Sequence, residues 1–100
     1  MSSCRSSGIK TSSAIIVSGR CKLVSVHGLL TGSAATTIKV FDNTSASGKE
    51  LVRVTMGDTS SPTSPYSFEF DMHGVIANTG LYLDIETGTN KGAAVSVEFS

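Results

Sequence analysis

The feature of this sequence that most restricts its fold is a strict alternation of apolar and polar residues in short segments. The clearest example spans residues 66–72, where Tyr, Phe, Phe and Met alternate with Ser, Glu and Asp. Successive side chains of a β-strand point to opposite faces, so the alternation predicts a strand with one apolar face and one polar face.

Segments of this kind recur along the chain and are separated by turn formers such as Gly, Ser, Asn and Asp. No segment has a helical period longer than two turns. The alternation predicts about eight short strands, at residues 14–17, 21–30, 36–42, 50–56, 66–72, 74–77, 81–86 and 93–99. We therefore predict an all-β fold, an antiparallel β-sandwich, for which jelly-roll and immunoglobulin-like connectivity both remain open.

Simple alternation also assigns residues to faces. In segment 21–30 it places Val24 and Val26 on one face and Leu23 and His27 on the other. In segment 66–72 it directs the aromatic residues inward, Tyr66 included. Gly74 is interpreted as a turn that separates two strands.

The first thirteen residues differ from the rest because they are small, polar and mildly basic. Such a segment buries too little apolar surface to offset its ordering entropy. We predict a flexible N-terminal arm at residues 1–13, which orders against a neighbour, followed by a β-sandwich domain at residues 14–100. Ile9 and Lys10 in the arm are candidate interface residues.

Charge and hydropathy narrow the range of partners. The chain has eight basic and eight acidic residues, and the basic residues are scattered. Nucleic-acid binding proteins normally have a basic stripe, so we expect no direct nucleic-acid partner. No apolar run approaches the ~20 residues of a membrane span, and no apolar h-region marks a signal peptide. We expect no membrane partner and synthesis in the cytoplasm.

The sequence has little of the chemistry that enzymes need. His27 and His73 are the only histidines, no G-x-S-x-G motif occurs, and Cys4 and Cys21 lack the paired spacing of zinc ligands. We expect no enzyme, no catalytic residue, no metal site and no cofactor, and we interpret the cysteines as free thiols. A calcium-binding module is the alternative, with oxygen ligands near strand ends, at Asp42, Asn43, Asp58, Asp71, Asp84 and Glu86.

Two aromatic residues are further candidates for a contact surface. Phe41 and Tyr82 alternate out of phase with the aliphatic residues of their own segments. Aromatic side chains are enriched in protein interfaces, so we predict an exposed contact at these positions. A core on both faces of the sheet would explain the pattern equally well.

The second half of the chain contains Phe68-Glu69-Phe70, Gly74-Val75, the run Asn78-Thr79-Gly80-Leu81-Tyr82-Leu83-Asp84-Ile85 and the closing Ala94-Val95-Ser96-Val97-Glu98-Phe99. These motifs span residues 66–99, about a third of the chain. They resemble the last strands of small β-sandwich virion proteins of tailed bacteriophages, particularly cyanophages and other marine phages.

The resemblance implies a capsid cement or decoration protein in the virion. Such a protein binds and stabilises the shell of the major capsid protein, and the resemblance also implies a homo-oligomer, such as a trimer. The alternative is a tail, neck or fibre component with a receptor- or glycan-binding β-sandwich. The resemblance carries no catalytic residues.

Overall fold

The computed structural model describes residues 4–58 and 65–100, which form two four-stranded antiparallel sheets. The strands, in chain order, are β1 (Arg5–Ser6), β2 (Ala14–Ser18), β3 (Cys21–Leu30), β4 (Thr36–Asp42), β5 (Lys49–Met56), β6 (Ser67–Ala77), β7 (Gly80–Ile85) and β8 (Ala93–Phe99). The prediction of an all-β antiparallel sandwich is confirmed. Within these ranges no helix is long and apolar enough to cross a bilayer.

The strand order decides between the two types of connectivity that the sequence left open. Sheet A has the order β1-β8-β3-β6 and sheet B the order β2-β7-β4-β5. Only the β4–β5 connection stays within one sheet, and each of the others carries the chain to the opposite sheet. Two interleaved Greek keys of this kind make a jelly roll.

The core lies between the inner faces of the two sheets. The central strands β8, β3, β7 and β4 have a neighbour on each side, so their inward side chains are the most completely enclosed. Their apolar alternation fills the space between the sheets, with no exposed surface at Leu23, Val26, Ile38, Val40, Leu81, Leu83, Val95 and Val97. This is the packing that the period-2 pattern requires.

A bulge in β3 changes the faces that simple alternation assigned. Against β8, Leu23 pairs with Phe99 and Ser25 with Glu98, so Val24 is an extra residue in β3. On its other side, β6 is irregular at the same point, because residues 72–74 lie opposite Val24 alone. The irregularity shifts the phase of the strand, because a change of one residue moves every later side chain to the other face. Leu23 is therefore in the core together with Val26, and the prediction that they lie on opposite faces is wrong.

The same irregularity explains why the predicted strands 66–72 and 74–77 are one strand, β6. His73 and Gly74 have φ angles of 54° and 76°, and the chain continues in the original direction after them. Gly74 thus lies in a bulge within one strand and not in a turn between two strands. Glycine suits this position because it adopts positive φ without steric cost. Tyr66 precedes the strand and is 68% exposed, in contrast to the predicted inward position.

Residues 4–10, which we call the N-terminal segment, run along the outer edge of β8. Arg5 and Ser6 pair with Phe99 and Glu98, and Lys10 forms an isolated bridge with Val95. The sequence predicted an arm without secondary structure here, whereas the structure uses the segment to satisfy backbone groups at the edge of β8. Residues 1–3 lie outside the described residues.

Candidate interaction surface

The outward side chains of β3, β6 and β8 form a surface that we call the outer face of sheet A. The register of these three strands aligns the side chains in three rows, which are Ala94–Leu29–Ser67, Ser96–His27–Glu69 and Glu98–Ser25–Asp71. The first row is mostly apolar, and the other two are polar. This division gives the surface an apolar end beside a polar centre.

The apolar end contains side chains that the sandwich does not cover. Leu29 is 50% exposed, and Ile9 of the N-terminal segment is 67% exposed. Both line a shallow groove of about 500 Å³. The other lining residues are His27, Gly28, Ser67, Phe68, Glu69 and Ala94. Adjacent exposed apolar groups with a polar surround are typical of a contact site for another protein.

Glu98 organises the polar centre. Its carboxylate accepts hydrogen bonds from the hydroxyls of Ser96 at 2.6 Å, Ser25 at 3.0 Å and Ser6 at 3.1 Å. His27 Nδ1 lies 3.6 Å from Glu98 Oε1. Because Ser6 belongs to β1, Ser25 to β3 and Ser96 to β8, this carboxylate links three neighbouring strands of sheet A.

The surroundings of Glu98 act on its pKa in opposite directions. Burial raises the pKa, while the hydroxyls of Ser96, Ser25 and Ser6 and the nearby His27 lower it, and the net result is a pKa below the usual glutamate value. A hydrogen bond to the charged form of a carboxylate favours that form. Glu98 is therefore held as an anion at neutral pH.

The polar centre has a structural arrangement and not the geometry of a nucleophilic site. Activation of a serine requires its hydroxyl to face a base such as imidazole. Here the hydroxyls of Ser25 and Ser96 donate to Glu98, and His27 faces the same carboxylate. In the part of the chain that the structure describes, no group of three or more His, Cys, Asp or Glu side chains could hold a metal ion.

The predicted contact residues Phe41 and Tyr82 are cross-strand neighbours on sheet B. Phe41 lies between Tyr82 of β7 and Glu50 of β5, and only 7% of it is exposed. Its ring is buried although it does not belong to the main core cluster, which differs from the exposed contact that we expected. Tyr82 is half-buried, with Ile15 of β2 on its other side.

The structure places Ile9 and Lys10 next to each other in the N-terminal segment but in different roles. Ile9 points an exposed side chain into the groove. Lys10 acts through its backbone, which exchanges hydrogen bonds of 2.7 and 2.9 Å with Val95. Of the four predicted interface residues, Ile9 is therefore the one that lies on the outer face of sheet A with an exposed apolar side chain.

Sequence reasoning missed Leu29 and the Glu98 cluster. Glu98 shows a weak signal, because it is a charged residue between the inward Val97 and Phe99. Its partners Ser6 and Ser25 are 92 and 73 positions away in the sequence. A spacing motif cannot identify partners at such separations, since their proximity depends on the order of the strands.

Comparison of the chain with models of protein families, with curated proteins and with solved structures found no match.

Proposed function

We propose that the chain is a structural protein of a tailed-bacteriophage virion, most specifically a capsid decoration protein that binds and stabilises the shell of the major capsid protein. The observation that carries this proposal is the strand order of the jelly roll, β1-β8-β3-β6 against β2-β7-β4-β5. This fold recurs in viral capsid and lectin domains. One fold can host many functions, so the fold alone does not specify a role in the virion. The resemblance of residues 66–99 to phage virion proteins is the second argument for that role.

The outer face of sheet A is the surface proposed to contact the shell. Ile9 and Leu29 supply exposed apolar area, and Glu69 and Asp71 supply a charged border on β6. Protein interfaces combine apolar area with polar groups at its border, and this surface offers both side by side. The formal net charge of zero suits contact with protein more than with nucleic acid.

Multiple copies would strengthen a weak individual contact. On a symmetric shell, linked subunits engage several sites at once, and the gain in avidity needs no additional contact within any one site. The proposal therefore includes a homo-oligomer, such as a trimer, as the form that binds. The chain is made in the host cytoplasm and ends in the virion.

The experiment is to purify particles of a phage that encodes the chain and to quantify their proteins by mass spectrometry. We expect the 10.3 kDa chain in a fixed ratio to the major capsid protein, in heads separated from tails. Absence of the chain from purified particles refutes the virion role. Presence in tails alone refutes capsid decoration and favours the second candidate below.

A pair of matched variants tests the proposed surface. Leu29→Asp and Ile15→Asp introduce the same charge at similarly exposed apolar positions, 50% and 55% exposed, on opposite sheets. We expect Leu29→Asp to abolish binding to particles that lack the protein and Ile15→Asp to retain it. The reverse result would assign the contact to sheet B.

The second candidate is a tail, neck or fibre component that binds a glycan on sheet B. The observation in its favour is that Tyr82 lies on the same outward face of β7 as Asp84, which lines a polar groove of about 190 Å³. Asp84, two residues along the same strand, lines that groove together with Thr37, Lys39, Arg53 and Glu86. A glycan array probed with the wild type and with Tyr82→Ala tests this candidate, and no signal for the wild type would refute it.

A further inference from the structure

We propose that the N-terminal segment is exchanged between copies of the chain, so that residues 4–10 of one copy pair with β8 of its neighbour. The inference rests on the proposed homo-oligomer and adds the means by which copies join, but it does not require a capsid. Exchange of an identical element is a low-cost route to an oligomer, because every contact made within one subunit is reproduced between two.

The segment is held mainly by backbone hydrogen bonds. Ser7 N donates to Val97 O at 2.8 Å, and Lys10 and Val95 bond each other in both directions. Val97 N donates to the Ser7 hydroxyl at 2.9 Å. These bonds depend on the register between the segment and β8 and not on which subunit supplies the segment.

No apolar burial fixes the segment to its own subunit. Each of the residues 4–10 is exposed or half-buried, and Ile9 is 67% exposed. Displacement of the segment therefore exposes no core side chain of the segment itself. It does leave edge groups of Val95 and Val97 without partners, and buried backbone groups of this kind require partners.

The connection to the sandwich has a defined hinge. Ser13 is fixed to the sandwich, because Ile85 N donates to its hydroxyl at 2.9 Å and the hydroxyl also lies 3.2 Å from Asp84 Oδ1. Thr11 and Ser12, between this anchor and the segment, are exposed. A short hinge of exposed residues is the usual place at which an element leaves its own subunit.

A second copy is the occupant that the edge of β8 specifies. The hydroxyl of Ser7 accepts a hydrogen bond from Val97 N. The hydroxyl of Ser6 donates one to the Glu98 carboxylate at 3.1 Å. Another copy presents both hydroxyls in the same register, whereas an unrelated strand supplies only the backbone bonds.

Cysteine chemistry can report which subunit supplies the segment. The register that pairs Arg5 with Phe99 places Cys4 opposite position 100. Ser100 directs its own N–H and C=O to Lys22 of β3. Ser100 and Cys4 therefore form a non-hydrogen-bonded pair, in which the two Cα atoms are typically about 4.5 Å apart. This separation is within the ~4.4–6.8 Å that a disulfide bridges.

The test mixes two proteins that each have one cysteine of the pair, in a Cys21→Ser background. The first keeps Cys4 and Ser100, and the second carries Cys4→Ser and Ser100→Cys. A disulfide between them can form only across chains. After the two are refolded together and oxidised mildly, we expect a reducible species of about twice the 10.3 kDa chain mass as the main product.

The control replaces the second protein by one with Cys4→Ser and Ser47→Cys, which has its thiol on an exposed loop. Exchange predicts at least a tenfold lower cross-chain yield for this control, and equal yields overturn the proposal as random oxidation. A single chain with Cys4 and Ser100→Cys that gives only an internally bridged monomer also overturns it.

Light scattering separates this failure from failure of the proposed function. An oligomer without the cross-chain disulfide overturns exchange and leaves the proposed assembly standing. A monomer at all concentrations overturns both exchange and the homo-oligomer.

Discussion

Asp42 holds the two sheets together at one end of the sandwich, and its replacement by asparagine tests how much this connection contributes. The carboxylate accepts hydrogen bonds from the backbone N–H groups of Thr79 at 2.8 Å, Asn78 at 3.0 Å and Gly80 at 3.4 Å. These residues connect β6 of sheet A to β7 of sheet B, while Asp42 ends β4. One side chain thus fixes the turn between the sheets.

The stability that Asp42 contributes follows from the number and exposure of these hydrogen bonds. A hydrogen bond to a charged group contributes about 1.5–3 kcal/mol in buried surroundings. Asp42 is half-buried, so water partly replaces the hydrogen bonds that its substitution removes. A comparable loss, that of a helix N-cap side chain which also accepts backbone N–H groups, costs about 0.5–2 kcal/mol. For Asp42→Asn, which keeps one acceptor oxygen, we expect a loss of about 1–2 kcal/mol in the free energy of unfolding.

The pH dependence gives an independent check. The N–H groups of Thr79 and Asn78 lower the Asp42 pKa more than burial raises it, and Gly80 N–H and Lys49 lower it further. A carboxylate with a lower pKa in the folded state stabilises the fold fully above its unfolded pKa, about 3.9. This stabilisation is lost as the pH falls through the folded value, so the difference between wild type and Asp42→Asn should disappear in strong acid.

The assay is urea denaturation followed by circular dichroism, at pH 7 and at several values below pH 4. The matched control is Glu69→Gln, which removes the same charge from an exposed position on β6. We expect the control to lie within about 0.5 kcal/mol of the wild type. A loss no greater than that of the control, or a loss that persists unchanged in acid, would refute the reasoning.

Two further predictions concern the core and the polar centre. Leu83→Ala removes a side chain with no exposed surface and should cost about 2–5 kcal/mol in urea denaturation, whereas Leu29→Ala, at a position that is 50% exposed, should cost much less. Glu98→Gln should loosen the N-terminal segment, because it weakens the bond to Ser6, and faster amide hydrogen exchange at Ser7 and Lys10 checks this. Unchanged exchange at both amides would show that backbone bonds alone hold the segment.

The sequence was sufficient to predict the fold class because apolar and polar residues alternate along most of each strand, which is enough to distinguish strands from helices. The predicted segments 36–42 and 93–99 coincide with β4 and β8. The jelly-roll order was not predictable, since it depends on pairings such as Arg5 with Phe99 that join the two ends of the chain. Simple alternation also failed at Val24 and Gly74, where irregular pairing shifts the phase.

The candidate surface was predictable only in part. Ile9 was identified, because an apolar residue in a polar arm has no core to enter, and the structure leaves it exposed. Phe41 was expected to be exposed from its phase within the strand, but its flanking residues Tyr82 and Glu50 come from other strands. Burial on the outside of a sheet depends on such neighbours, which no local pattern reveals.

The irregular pairing at residues 72–74 also limits what can be added to the edge of sheet A. β6 is the last strand of that sheet and, at eleven residues, the longest in the described chain. Left-handed backbone at His73 and Gly74 interrupts its row of donors and acceptors, so a straight incoming strand can follow only residues 67–71 or 75–77. Fibre-forming segments typically need about six or seven uninterrupted residues. The β6 edge of the jelly roll therefore lacks the uninterrupted length that open-ended cross-β growth requires.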